Sequence, residues 1–127
     1  MFGHFYGFCI GEECIEIYQI ADSKLYEDEL DQYPTSEAIY EGSFRQLSND
    51  KYELVKDLAS QIPPELYLEE DGFIGLPDAA DGGGIYVAVR NSLGIRYWLI
   101  DQMDNNIPEY LWDFKKDVNE SISKINQ

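Results

Sequence analysis

Two apolar runs of about six residues each dominate the pattern along the chain. One follows Gly84 and contains Ile85, Tyr86, Val87, Ala88 and Val89; the other contains Ile95, Tyr97, Trp98, Leu99 and Ile100. The turn set Asn91-Ser92-Leu93-Gly94 separates them, so together they predict a β-hairpin with a short loop. If that loop sets the register, Ile85 faces Ile100 and Val87 faces Trp98 on one side. Tyr86 then faces Leu99, and Ala88 faces Tyr97, on the other. Both faces are largely apolar. Each must therefore be covered, or one of them must serve as a binding surface.

Before the hairpin the pattern predicts four strands. Residues 2–10 mix aromatics with glycines, and residues 14–20 alternate Ile15 and Ile17 against Glu16 and Tyr18. Residues 24–30 form a third strand, weakened to an edge or loop by Glu27-Asp28-Glu29, and residues 40–47 form a fourth. Ser48, Asn49 and Asp50 offer helix N-cap oxygens, Val55, Leu58, Ala59 and Ile62 recur at helical spacing, and Pro63-Pro64 ends that helix. Residues 65–75 read as loop, with a turn of 3₁₀ helix around residues 66–68. After the hairpin, Asn105-Asn106-Ile107-Pro108 supplies a cap and a first-turn proline. Ile107, Leu111, Phe114, Val118, Ile122 and Ile125 then make one apolar stripe. The order β-β-β-β-α-β-β-α predicts an α+β fold over residues 1–127 as a single domain: an antiparallel sheet of about six strands with two helices packed mainly on one face.

Charge changes this picture most. Of 127 residues, 9 are basic and 25 acidic, a net charge of −16, and 44% are hydrophobic, which marks a globular chain. Residues 1–70 hold 16 acids and 4 bases, and residues 71–127 hold 9 acids and 5 bases. A field of that sign repels phosphate backbones and anionic lipids and attracts basic surfaces, so nucleic acid is not an expected partner. No apolar run approaches the ~20 residues that cross a bilayer. Met1 leads directly into Phe2-Gly3-His4-Phe5-Tyr6 without the start of a signal peptide. As written, the chain is expected to be cytoplasmic, with the cell envelope or periplasm as the alternative if a leader was removed.

Tyr26, Tyr33 and Tyr40 interleave with Glu27, Asp28, Glu29 and Asp31. Tyrosine brings a large amphipathic ring and carboxylates pair with Arg and Lys, so these residues are the candidate surface for a basic protein partner. The alternative is a solvated edge whose tyrosines cover the sheet. Cys9 and Cys14 flank a four-residue turn and stand within bridging reach in a hairpin. Free thiols are the expectation for a reducing compartment, a disulfide is the alternative, and zinc would need His4 and a carboxylate at spacings that match no common ligand pair. Asp78 and Asp81, in Pro77-Asp78-Ala79-Ala80-Asp81-Gly82-Gly83-Gly84, could gather oxygens for a hard cation with Glu69, Glu70 and Asp71. A structural turn explains that loop more simply, with aspartates bonding nearby N–H groups and glycines taking positive φ. No cofactor is expected, and the single histidine, His4, leaves no clear catalytic constellation.

The combination Pro77-Asp78-x-x-Asp81-Gly82-Gly83-Gly84-Ile85-Tyr86, Trp98-x-Ile100-Asp101 and Asn105-Asn106-Ile107-Pro108-x-Tyr110-Leu111-x-x-Phe114 resembles a group of small bacterial proteins of unknown function. Gly7-Phe8-Cys9 to Cys14 and Leu47-Ser48-Asn49-Asp50-Lys51-Tyr52-Glu53 are similar to the same group. The resemblance implies a shared fold and no activity. Many members look like exported lipoproteins, a feature this chain does not show, and some have cysteines flanking the Pro-Asp loop where this chain has Leu76 and Ala79. The function expected on these grounds is a non-catalytic acidic protein-binding domain of the immunity or inhibitor kind. The alternatives are an envelope lipoprotein-type domain or a cation-dependent hydrolase using Asp78 and Asp81.

Overall fold

Strand alternation and the two helical stripes resolve into one sheet with a layer on each side. The computed structural model describes all 127 residues, the side chain of Glu12 excepted. In chain order the elements are β1 (Phe2–Phe5), β2 (Ile15–Ala21), β3 (Lys24–Asp28), β4 (Phe44–Gln46), α1 (Asn49–Val55), β5 (Gly72–Ile74), β6 (Gly84–Asn91), β7 (Gly94–Asp101) and α2 (Trp112–Ile125). The seven strands lie in the order β4-β3-β2-β1-β6-β7-β5, and only β5 runs parallel to its neighbour. The fold is α+β, as the order of elements predicts.

The hairpin has the expected register: Ile85 pairs with Ile100, Tyr86 with Leu99, Val87 with Trp98 and Ala88 with Tyr97. Its first strand joins β1, the middle strand of the sheet, so Phe2 and Phe5 are buried despite sitting near the start of the chain. One face carries Phe2, Tyr18, Leu25, Ile85, Val87, Trp98 and Ile100. Against it lie Leu111, Phe114, Val118, Ile122 and Ile125 of the C-terminal stripe, with Val55 of α1 and Leu58 beyond it. Both helices therefore cover the same face. The opposite face, with Phe5, Ile17, Tyr86, Ala88 and Leu99, is covered by Ile39 and Tyr40 from residues 29–43. Tyr86 accepts from the Tyr40 backbone N–H at 2.8 Å, and Tyr97 donates to the Ser36 carbonyl at 2.9 Å, so the strand tyrosines tether this cover.

The structure departs from the expected elements where side chains or prolines take over backbone bonding. Strand β3 stops at Asp28, whose carboxylate accepts the N–H groups of Leu30 and Asp31 and so turns the chain out of the sheet. The first helix is capped by Ser48 as predicted, but ends at Val55 and continues as a 3₁₀ turn over Leu58–Gln61. Pro63 and Pro64 have no N–H to offer the carbonyls of the last turn. Ala59 therefore bonds to Ile62 instead, in the tighter pattern. Strand β5 was not expected: three residues inside an acidic loop are too few to show alternation. Among the described residues, no helix is long and apolar enough to cross a membrane.

The roof over the helical face generates a direct test. Replacing Ile122, 2% exposed, by Ala lowers stability by about 2–5 kcal/mol in urea unfolding. A loss below about 0.5 kcal/mol, the size expected of an exposed position, would mean that α2 does not pack as described.

Candidate functional site

Three stretches that look separate in the sequence meet at Asp78. Its Oδ1 accepts the Gly83 N–H at 3.0 Å, and its own N–H donates to the Gly83 carbonyl at 2.8 Å, closing the loop that leads into β6. Its Oδ2 accepts the Gly7 N–H at 2.8 Å and the Tyr33 hydroxyl at 2.7 Å. One carboxylate thus joins the glycine-rich loop, the segment containing the cysteines and the acidic tyrosine stretch. The fit is close: a Cβ on Gly7 would lie 2.6 Å from Asp78 Oδ2 and 3.1 Å from the Tyr33 ring. The Tyr33 phenol is pushed up to about 12 by burial and by its bond to Asp78, and remains a donor at neutral pH. The loop is also strained, because Asp78, Ala80 and Asp81 have φ of 61°, 52° and 61° in the left-handed region.

Cys9 and Cys14 are joined in a disulfide with a Cα–Cα distance of 5.8 Å, which corrects the expectation of free thiols. They do not face each other across a hairpin. Cys9 lies in irregular chain and Cys14 ends a 3₁₀ turn over Glu12–Cys14, and that turn brings the two within bridging distance. The Tyr6 N–H bonds the Cys14 carbonyl at 2.9 Å, and His4 Nε2 donates to the Glu13 carbonyl at 2.8 Å, so the far end of the small loop is braced against β1 and Tyr6. Burial lowers the His4 pKa against the opposing pull of the Glu13 carbonyl and carboxylate. The pairing of the cysteines leaves His4 without the thiolates that a zinc site would need. From this braced loop Phe8 and Ile10 project into solvent, 84% and 102% exposed.

The acidic tyrosine stretch divides into two roles. Asp28, 2% exposed, accepts from the N–H groups of Leu30, Asp31 and Ser43 and from the Tyr40 hydroxyl at 2.5 Å. Burial alone would raise its pKa, but the bonds from Tyr40, Ser43, Asp31 and Leu30 hold it below the ordinary carboxylate range. Tyr40 is buried as well, and its oxygen also accepts the Gln32 N–H at 2.9 Å. These two residues fasten the cover from beneath and are not available to a partner, which corrects their place in the expected surface. Glu29, Asp31 and Tyr33 are exposed on the outside of the cover, while Tyr26 and Glu27 are half-buried on β3. Glu29 pairs with Arg45 at 2.8 Å. Burial, with the negative neighbours Glu13, Glu27 and Asp31, pushes the Glu16 carboxyl up in spite of a hydrogen bond from Asn126.

The carboxylates proposed for a cation do not converge. Asp71 is paired with Arg96 at 2.6 Å, whose guanidinium also donates to the Tyr67 and Glu69 carbonyls. Asp78 and Asp81 lie beyond the other end of β5. Among the described residues, no group of three His, Cys, Asp or Glu side chains could hold a metal ion. Asp101, the last residue of the Trp98-x-Ile100-Asp101 motif, is 1% exposed and accepts from the N–H groups of Leu76 and Met103 and from the Asn106 amide, a role the motif alone does not reveal. Its signal was an aspartate closing an apolar strand just before a loop, the usual place for a side chain that bonds its own turn. Leu76 and Met103, 68% and 50% exposed, flank it at the same end of the sheet as Phe8 and Ile10. Comparison with family models, curated proteins and solved structures finds no match.

Because Asp28 has a lowered pKa in the folded state, its contribution is present above the ordinary carboxylate range and is lost as pH falls through the folded value. Asp28→Asn is expected to cost about 2–4 kcal/mol at pH 7, with the difference from the parent shrinking below about pH 4. Urea unfolding at a series of pH values measures this, and a pH-independent difference would remove the charged carboxylate as the cause.

Proposed function

We propose that this chain is a non-catalytic binding domain that docks onto a basic protein partner with the end of the sheet organised by Asp78, in the manner of an immunity protein or inhibitor of a cationic protein. The observation that carries the reading is the exposure of Phe8 and Ile10 on a loop braced by the Cys9–Cys14 disulfide and the Gly7–Asp78 bond. A braced loop loses little freedom on binding, so apolar side chains on it can anchor an interface at low entropic cost. Tyr33, half exposed, adjoins Gly7, and Glu29 and Asp31 lie exposed on the same cover. A net charge of −16 steers a basic partner toward the molecule from a distance. The disulfide supports an oxidising setting, the cell envelope or beyond it, over the cytoplasm. The cation-dependent hydrolase has less support, since both oxygens of Asp78 are engaged by Gly7, Tyr33 and Gly83.

The test is selection of a random peptide library displayed on phage against the oxidised chain, followed by titration of the enriched peptides against the parent and a Phe8→Ser/Ile10→Ser variant. Enriched peptides should combine Arg or Lys with aromatic or aliphatic residues. Their affinity should fall about tenfold or more in the variant, and should fall again with rising salt. Enrichment of peptides without basic residues, or binding indifferent to both changes, would remove this reading.

A further inference from the structure

The disulfide of the Phe8–Ile10 loop lies where solution thiols can reach it and where its loss leaves the sheet standing. Cys9 is exposed and Cys14 is buried, 8% exposed, so the bridge presents its Cys9 side to solvent. Both ends of the loop are held by other means. The Gly7 N–H bonds Asp78 at one end. At the other, the Tyr6 N–H bonds the Cys14 carbonyl, His4 holds the Glu13 carbonyl and Phe5 pairs with Ile15.

Between those ends, residues 8–11 belong to no strand or helix, and among the described residues no hydrogen bond or ion pair reaches them. A Cβ on Gly11 would meet nothing within 4 Å, and Phe8 and Ile10 stand outside both core clusters. The bridge is therefore the one link, among the described residues, that fixes this stretch. A bridge constrains the unfolded chain less when the loop it closes is short, and here the two cysteines are only 5 apart in sequence. Its loss weighs on the local order of residues 8–11 more than on the fold.

We infer that Cys9–Cys14 is a redox switch on the anchoring loop: oxidised, it holds Phe8 and Ile10 ready for a partner, and reduced by a dithiol, it frees residues 8–11 while the sheet stays folded. The effect on binding rests on the reading of Phe8 and Ile10 as anchors; the change in the loop does not. A thiolate of the dithiol attacks the Cys9 sulfur and forms a new S–S bond there. The Cys9–Cys14 bond breaks, and its electron pair leaves on Cys14, which takes up a proton. The second thiolate of the dithiol then attacks the dithiol sulfur of the mixed disulfide and expels Cys9, which is protonated in turn. The dithiol departs as a cyclic disulfide, having passed two electrons to the chain. At a net charge of −16 the chain repels an acidic carrier, so a dithiol on a neutral or basic surface reaches Cys9 faster.

Dithiothreitol is the probe, with the isotope-labelled chain followed by NMR relaxation and hydrogen exchange. Backbone order parameters at residues 8–11 should lie near about 0.85 in the oxidised chain and below about 0.6 after reduction. They should recover when the dithiol is removed and oxidised glutathione re-forms the bond. Slow exchange across β6 and β7 should persist throughout, and a Cys9→Ser/Cys14→Ser variant should show the low values with or without dithiol. Affinity for basic peptides selected by the oxidised chain should fall about tenfold or more on reduction, because binding must then order the freed residues. Order parameters unchanged by reduction would overturn the switch, as would a bridge that resists excess dithiothreitol in the folded chain. Loss of slow exchange across β6 and β7 would make the bond a staple of the whole fold and overturn it too. Peptides that bind both redox forms alike yet lose affinity with Phe8→Ser/Ile10→Ser would overturn the switch and leave the binding reading standing. If no basic peptide is selected, the binding reading falls alone and the order parameters decide the switch.

Discussion

The β6–β7 hairpin is apolar on both faces, and that constraint decides the rest of the architecture. A sheet with one wet face could have rested on its helices alone. Here Tyr86, Ala88 and Leu99 on one side are buried, as are Ile85, Trp98 and Ile100 on the other. The helices cover one side. The other is covered by residues 29–43, a segment with no helix and no strand of its own. Irregular chain carries unpaired N–H groups, so it can lie against a sheet only where side chains supply acceptors. Asp28 supplies them at the root of the cover, Tyr86 beneath it and Asp78 at its far edge.

Several carboxylates of this acidic protein are therefore parts of its frame. Asp78 and Asp101 each gather donors from two or more loops, and Asp28 gathers donors from both ends of residues 29–43; each holds its loops at chosen positions on the sheet. Of the other acids, Glu29, Glu53, Asp71 and Asp104 pair with Arg45, Lys56, Arg96 and Lys115. The strain in the Asp78–Gly83 turn has the same origin. Left-handed Ala80 and Asp81 are tolerated because Asp78 closes the turn by three separate bonds and the Tyr6 ring packs where a side chain on Gly83 would lie. This closed turn borders two exposed apolar residues, Phe8 and Ile10, a pairing suited to holding them in place for a partner.

Much of this was legible in the sequence wherever periodicity carried the information. The hairpin register follows from turn length, the C-terminal stripe from helical spacing, and Ser48 from its capping chemistry. What could not be read is bonding by individual side chains over long separations. Asp28 and Tyr40 look like members of a charged surface because their neighbours are charged, and only their burial shows that they are fasteners. Tyr33 lies 45 residues from Asp78 and Gly7 lies 71 residues from it, so no local pattern links them. The cysteine pair was recognised, but its state depends on a short 3₁₀ turn that the spacing does not reveal. Strand β5 escaped because three residues have no period.

The central claim is that residues 29–43 are a fixed layer of the fold, hung from Asp28, and not a mobile acidic arm. Native-state hydrogen exchange on the free chain addresses it most directly. The amides of Leu30, Asp31 and Ser43, which donate to the Asp28 carboxylate, and of Tyr40, which donates to Tyr86, should exchange far more slowly than the exposed amides beside them. Exchange of all four at the rate of an unstructured peptide would contradict the account. It would leave one apolar face of the sheet without its cover.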